Sequence, residues 1–163
     1  MQGDAVLGDL FDDHHAGLVR LAGLLVDDRD MAQEIVQEAF ARLVVALPRL
    51  RSDAAALPYL RRTVVNLCHS GLRRRRTARR HLESEPLEAA SAESVAAVRA
   101  DQRAVLDALD GLPGRQRTCL ILRFYQDLSE TEIGAAVGIS PNSVKTHVQR
   151  GMASLARRLE GHR

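Results

Sequence analysis

The chain has 163 residues, of which 45% are hydrophobic, 27% charged and only 3% aromatic, with a formal net charge of +2. That balance is globular and leaves room for one ordinary domain or two small ones. It excludes a membrane protein: the longest apolar run, Leu43 to Leu47, is far too short to span a bilayer, and Met1 to Asp13 has no basic segment leading into an apolar one. The expectation is a cytoplasmic protein with no membrane insertion.

With so few aromatics the core must be built from Leu, Val, Ala and Ile, and the scarcity of β-branched runs favours helices. The small net charge conceals strong patterning. Residues 1–48 carry 3 basic and 9 acidic side chains, and residues 49–82 carry 10 and 1. Residues 83–112 carry 2 and 7, and residues 113–163 carry 8 and 4. Two basic blocks suggest two contacts with a polyanion, and the acidic blocks suggest faces turned to something else.

Residues 5–26 read as an amphipathic helix, with Leu7, Leu10, Phe11, His14, Leu18, Leu21 and Leu25 at three- and four-residue steps. Asp27, Asp28 and Asp30 interrupt it and offer carboxylates to the start of the next helix. That helix runs from about Asp30 to Leu47, its apolar stripe formed by Met31, Ile35, Ala39, Phe40, Leu43 and Leu47, and Pro48 ends it. A loop over 48–58 has a proline at each end. A third helix starts near Pro58, which suits a first turn. Leu60, Val64, Leu67, Cys68 and Leu72 give its buried stripe, while Arg62, Asn66, His69 and Arg73 share the opposite face. It leads into Arg73-Arg74-Arg75-Arg76.

Residues 81–96 read as a flexible linker, with Pro86 among Glu, Ser and Ala. Helical pattern resumes with Val95, Val98, Val105, Leu106 and Leu109, and Gly111 and Pro113 stop it. Residues 114–126 make a further helix with Cys119, Leu120, Leu122 and Phe124 as candidate core.

The sharpest signal lies in residues 129–151. Ser129 and Glu132 have capping-box spacing and open a short helix. Ile133, Ala136 and Val137 face inward, Gly138 suits a left-handed turn, and Ile139 plugs the corner. Ser140 caps the next helix and Pro141 fits its first turn. This is a helix-turn-helix, whose second helix can enter the major groove. Lys145 and Arg150 can reach phosphates or guanine; Asn142, Ser143, Thr146 and Gln149 can meet base edges. A plain helical hairpin with a solvated face is the bland alternative. The agreement of cap, glycine turn, corner hydrophobe and basic second helix weighs against it.

At these residues the sequence resembles a known family. Leu112 to Leu159 (LPGRQRTCLILRFYQDLSETEIGAAVGISPNSVKTHVQRGMASLARRL) resembles region 4 of the sigma-70 family, and within it the extracytoplasmic-function (ECF) group. Asp28 to Leu43 (DRDMAQEIVQEAFARL) resembles region 2.2, and Leu57 to Arg76 (LPYLRRTVVNLCHSGLRRRR) resembles regions 2.3 and 2.4. Tyr59 stands where the family often has Trp, and Gln33-Glu34 where it has an acidic pair. The resemblance implies a sigma factor that binds core RNA polymerase through the clamp helices of β′ and the β flap. It implies −35 duplex recognition by Asn142, Ser143, Lys145, Thr146, Gln149 and Arg150. It implies capture of melted −10 DNA by Tyr59, Arg62, Asn66, His69, Arg73 and Arg74, and polymerase contact by Glu34, Gln37 and Glu38. Promoter DNA and an anti-sigma factor follow as partners.

Nothing else carries chemistry. Cys68 and Cys119 form no C-x-x-C pair and read as small buried hydrophobes. His14 and His15 are adjacent and point to different sides of a helix. No nucleotide-binding loop, zinc motif or nucleophile elbow is present, so no cofactor, metal or catalytic activity is expected. The expected architecture is all-α: two small helical domains, residues 1–80 and 97–163, joined by the linker, the second containing the helix-turn-helix. The competing reading is a stand-alone helix-turn-helix regulator that is not a polymerase subunit.

Overall fold

The structure is a computed structural model, and it describes residues 2–81 and 100–161. The expected linker, and the part of the following pattern that includes Val95 and Val98, lie outside the described residues. Among those residues there are seven α-helices, two single turns of 3₁₀ helix and no strand. They fall into two helical units.

The first unit is a three-helix assembly. Helix α1 spans Gln2–Val26, α2 spans Arg29–Ala46 and α3 spans Ala56–His81. Between α2 and α3, Leu47–Arg49 and Asp53–Ala55 form 3₁₀ turns where the sequence reads as a loop. Pro48 ends α2 as its missing N–H dictates. Asp27, at φ 52°, makes the left-handed step out of α1. Asp28 then caps α2, its carboxylate accepting the Met31 N–H at 3.0 Å. Each helix packs on the other two. Leu18, Leu21, Leu25, Val36, Leu43, Leu60, Val64 and Val65 are almost fully withdrawn from solvent. Each such side chain contributes on the order of 1.5–3 kcal/mol of transfer free energy.

Two expectations for this unit need correction. Helix α1 buries its side chains only from Leu18 onward. Phe11, expected on the buried stripe, is 48% exposed. It is held by stacking on His15 at 4.3 Å between ring centroids and by an edge contact with Phe40 at 5.4 Å. Second, the loop expected over 48–58 ends at Ala55, because α3 begins at Ala56; Pro58 takes the first-turn position expected of it.

The second unit holds α4 (Ala100–Asp110), α5 (Gly114–Phe124), the first turns of α6 (Glu130–Val137), and α7 (Pro141–Glu160). Helix α7 packs on α5 and α4. The α5 contact is close because Gly151 has no side chain: a Cβ there would stand 2.9 Å from Leu120 Cδ1. Arg158 reaches back from α7 and donates to the Gly111 carbonyl at 2.7 Å, satisfying the backbone where α4 ends. Phe124, expected in the core, is 64% exposed. Cys119, Leu120 and Leu122 are buried as expected, and Phe124, two residues beyond Leu122, turns to the other side of the helix. Val105 and Leu106 on α4 are also exposed, each at 38%.

Candidate nucleic-acid interface

The helix-turn-helix forms from local bonds that its sequence specifies. Ser129 N–H donates to Glu132 Oε2 at 2.8 Å, and Glu132 N–H donates to Ser129 Oγ at 3.1 Å. This is the reciprocal capping box, and it opens α6. Gly138 adopts φ 81° after α6, and the Ile139 N–H returns to the Gly134 carbonyl at 3.1 Å. Gly134 lies directly under the turn, since a Cβ on it would sit 2.6 Å from the Ile139 oxygen. Ser140 then caps α7, its Oγ accepting the Ser143 N–H at 3.2 Å, with Pro141 at the first position.

Helix α7 buries Val144 and Gly151, and half-buries Val148 and Leu155. Its other side presents Asn142, Lys145, Thr146, Gln149 and Arg150, all exposed. The expected groove-facing residues are thus brought together, with two qualifications of chemistry. Ser143 is half-buried and its hydroxyl lies 2.9 Å from that of Ser140, so it serves the cap first. Thr146 Oγ1 donates to the Asn142 carbonyl at 3.1 Å, which leaves its oxygen free to accept and its methyl free to pack. Upstream, Arg123 Nη1 donates to the Leu128 carbonyl at 3.1 Å and steadies the chain between α5 and α6, where Asp127 takes φ 52°.

In the first unit, α3 sorts its residues as the four-three-four spacing demands. Arg62, Asn66 and Arg73 are exposed on one stripe, with Tyr59 and His69 half-buried along it. Arg74 is exposed on its flank. Leu60, Val64, Cys68 and Gly71 are buried opposite. Thr63 is also buried, its hydroxyl satisfied by the Tyr59 carbonyl at 2.8 Å. Burial pushes the Cys68 thiol up to about 12, and likewise the Cys119 thiol up to about 11 against a weaker opposing effect of Arg115. Both behave as hydrophobes.

Helix α2 exposes Glu34, Gln37 and Glu38 on a continuous face. Sequence reasoning missed how that face continues. Ala41 and Arg42 are exposed, as are Val44 at 52% and Val45 at 70%. Glu38 accepts from Arg42 Nε at 2.8 Å, one helical turn on. Glu38, Arg42, Val45 and Arg49 line one open groove together with Tyr59 of α3. The acidic face of α2 and the aromatic start of the arginine-bearing helix are therefore neighbours. The i, i+4, i+7 spacing of Glu38, Arg42 and Val45 was the available signal.

Two units, one with an arginine-lined helix and one with a helix-turn-helix, define a bipartite nucleic-acid-binding protein of the transcription class. Comparison with known proteins places it further. Residues 10–78 match the model for sigma-70 region 2, and residues 102–155 match sigma-70 region 4. The chain is 32% identical over 143 residues to an RNA polymerase sigma-E factor of Streptomyces avermitilis, covering 88% of this chain and 79% of that one. It is 33% identical over 158 residues to the ECF RNA polymerase sigma factor SigM of Mycobacterium tuberculosis, covering 92% and 75%. The fold is similar to that of the sigma factor RpoE of Bartonella quintana, solved in complex with the anti-sigma factor NepR. That match has a TM-score of 0.70 at 20% identity and covers 98% of this chain and 94% of that one. The chain belongs to the sigma-70 family of RNA polymerase sigma factors, in the ECF group.

Proposed function

We propose that the chain binds core RNA polymerase and directs it to promoters. In this reading α7 recognises the −35 duplex while α3 captures unpaired −10 bases. The observation that carries the proposal is the exposure of Asn142, Lys145, Thr146, Gln149 and Arg150 on the capped second helix of a helix-turn-helix, in a chain that also presents Arg62, Asn66, Arg73 and Arg74 on a separate helix. Capping fixes where the first turns of α7 begin, and those turns are the ones that meet base edges. Direct readout suits the small polar and basic side chains there. Single-stranded DNA calls for a basic track with stacking surfaces, which Arg62, Arg73, Arg74 and Tyr59 supply.

The exposed face of Glu34, Gln37 and Glu38 is assigned to the clamp helices of the β′ subunit, and the second unit to the β flap. Because the Bartonella relative was solved with an anti-sigma factor, control by a protein of that kind is assigned here too. Opening of the duplex draws on binding energy shared with the polymerase; we assign this chain no enzymatic step. The deciding experiment is run-off transcription with purified core polymerase. Promoter-specific transcripts with mapped start sites support the proposal. Sequence-specific DNA binding without any such transcripts would favour the stand-alone regulator.

A further inference from the structure

The arginine block at the end of α3 is not uniform. Arg75 follows Arg73 by two residues, which turns it roughly 200° around the helix, away from the exposed Arg62–Asn66–Arg73 stripe. It lies on the side where Gly71 and Cys68 pack against the rest of the unit. There its Nη2 donates to Asp28 Oδ2, an ion pair between residues 47 apart in sequence. The other carboxylate oxygen of Asp28 accepts the Met31 N–H and caps α2. One turn back along α3, the Met31 side chain fills the space that a Cβ on Gly71 would need. Two successive layers, Gly71 on Met31 and Arg75 on Asp28, thus join the last part of α3 to the first turn of α2. The Asp28 carboxyl is held below its ordinary range, first by the Met31 N–H and, after some opposing desolvation, by Arg75. The pair is therefore ionised at neutral pH.

We propose that Arg75 is a positioning residue and not a DNA ligand. With Asp28 it forms a clasp that holds the C-terminal part of α3 so that Arg73 and Arg74 meet the −10 strand in a fixed register. This inference rests on the −10 reading given above. The C-terminal part of a helix opens most readily where it has no tertiary anchor, so an unclasped α3, which runs on to His81, would present Arg73 and Arg74 as a spread of positions. Arg75 is withheld from DNA, and an acidic side chain on another helix becomes necessary for DNA capture.

The test uses the full chain bound to core polymerase and a fluorescent single-stranded −10 oligonucleotide of the non-template strand. Asp28→Ser keeps a cap for Met31 but is too short to reach Arg75. Arg75→Ala removes the other partner. Each should weaken oligonucleotide binding about three- to fivefold, the range of a partly exposed ion pair. The double variant should be no worse than either single one, and Arg75→Lys should restore most of the loss. Affinities for core and for −35 duplex should not move, which separates positioning from loss of fold. Arg74→Ala serves as the control on the −10 reading. If Arg75→Ala weakens binding while Asp28→Ser does not, Arg75 is an ordinary phosphate ligand and the clasp is overturned. If Arg74→Ala weakens binding and both clasp variants do not, the clasp alone fails. If none of the three has an effect, the −10 assignment of this helix fails with it.

Discussion

Replacing Gly134 by Ala should damage the helix-turn-helix, although the same change stabilises most helix interiors. In an unobstructed helix the substitution gains about 0.5–1 kcal/mol, because alanine has less backbone freedom to lose. At Gly134 the new Cβ would lie 2.6 Å from the Ile139 carbonyl oxygen, with Pro141 N and Ser140 C both at 3.6 Å. All three are backbone atoms of the turn, so none can rotate aside as a side chain would. Overpacking costs about 1–3 kcal/mol, and a contact this short against backbone falls in the upper part of that range, roughly 2–3 kcal/mol, so the net loss after the helical gain is about 1–2.5 kcal/mol. In a unit of this size that lowers Tm by roughly 4–8 °C for each kcal/mol. The Ile139 to Gly134 backbone bond, at 3.1 Å, should break first and shift the start of α7. Chemical denaturation and titration with −35 duplex DNA measure the two consequences. Gly23→Ala on α1, with nothing within 4 Å of its Cβ, is the control and should stabilise by up to about 1 kcal/mol. A Gly134→Ala variant as stable as the parent, with unchanged duplex affinity, would refute the reasoning.

Reversing charge at Glu34 and Glu38 together should weaken core polymerase binding by about tenfold or more, while the exposed Glu38–Arg42 pair, worth at most ~0.5 kcal/mol, leaves folding unharmed; a pull-down with unaltered affinity would remove this face from the interface. Arg150→Ala should cost ~1–3 kcal/mol of −35 binding if it meets a base, and weaken all sequences alike if it meets a phosphate. Titrations of matched and scrambled duplexes at one salt concentration tell these apart, and wild-type affinity would exclude both. Cys68 and Cys119 should resist a thiol-labelling reagent in the native protein and react once it is unfolded. Their folded pKa values are raised, so this contribution to stability is whole below the ordinary thiol value of 9.0 and is lost as pH rises toward about 11 and about 12. Denaturation midpoints that do not fall above pH 9 would contradict that sign. Asn66→Ala should spare core and −35 binding but reduce promoter opening, because an exposed amide can both donate to and accept from an extruded base; normal permanganate reactivity of the −10 bases would make the residue irrelevant.

How much of this was legible in the sequence depended on the distance over which each feature is specified. The helix-turn-helix could be read almost atom by atom. Ser129 and Glu132, Ser140 and Ser143, and Gly138 with Ile139 each lie within three residues of their partner, and their bonds form as the side chains require. The α3 stripe was equally plain, since one helix periodicity decides which residues share a side. Prediction weakened where a side chain's surroundings come from another element. Phe124 has the composition of a core residue, but α5 had already spent its inward positions on Thr118, Cys119 and Leu122. Val44 and Val45 sit in the longest apolar run of the chain, yet no helix of their unit covers them. Their side of α2 is instead the side that carries Glu34 and Glu38, so apolar character there marks the surface assigned to the polymerase.

Arg75 shows the same limit in its sharpest form. Within Arg73 to Arg76 every residue has the same charge and a similar reach, and composition assigns the whole run to a polyanion. Helix geometry alone already divides it, because residues two apart cannot share a face. What geometry could not supply was the partner. Asp28 reads locally as an N-cap, and it is one; nothing within several residues of it hints that its second oxygen serves a helix 47 positions away. A carboxylate that accepts from a backbone N–H and a guanidinium at once uses both its oxygens, and neither task can be inferred from the other. The consequence for reading such chains is specific. A run of arginines at the end of a long helix should be divided by face before it is assigned to DNA. The ones that turn inward should then be matched to acidic caps on the helices packed beneath.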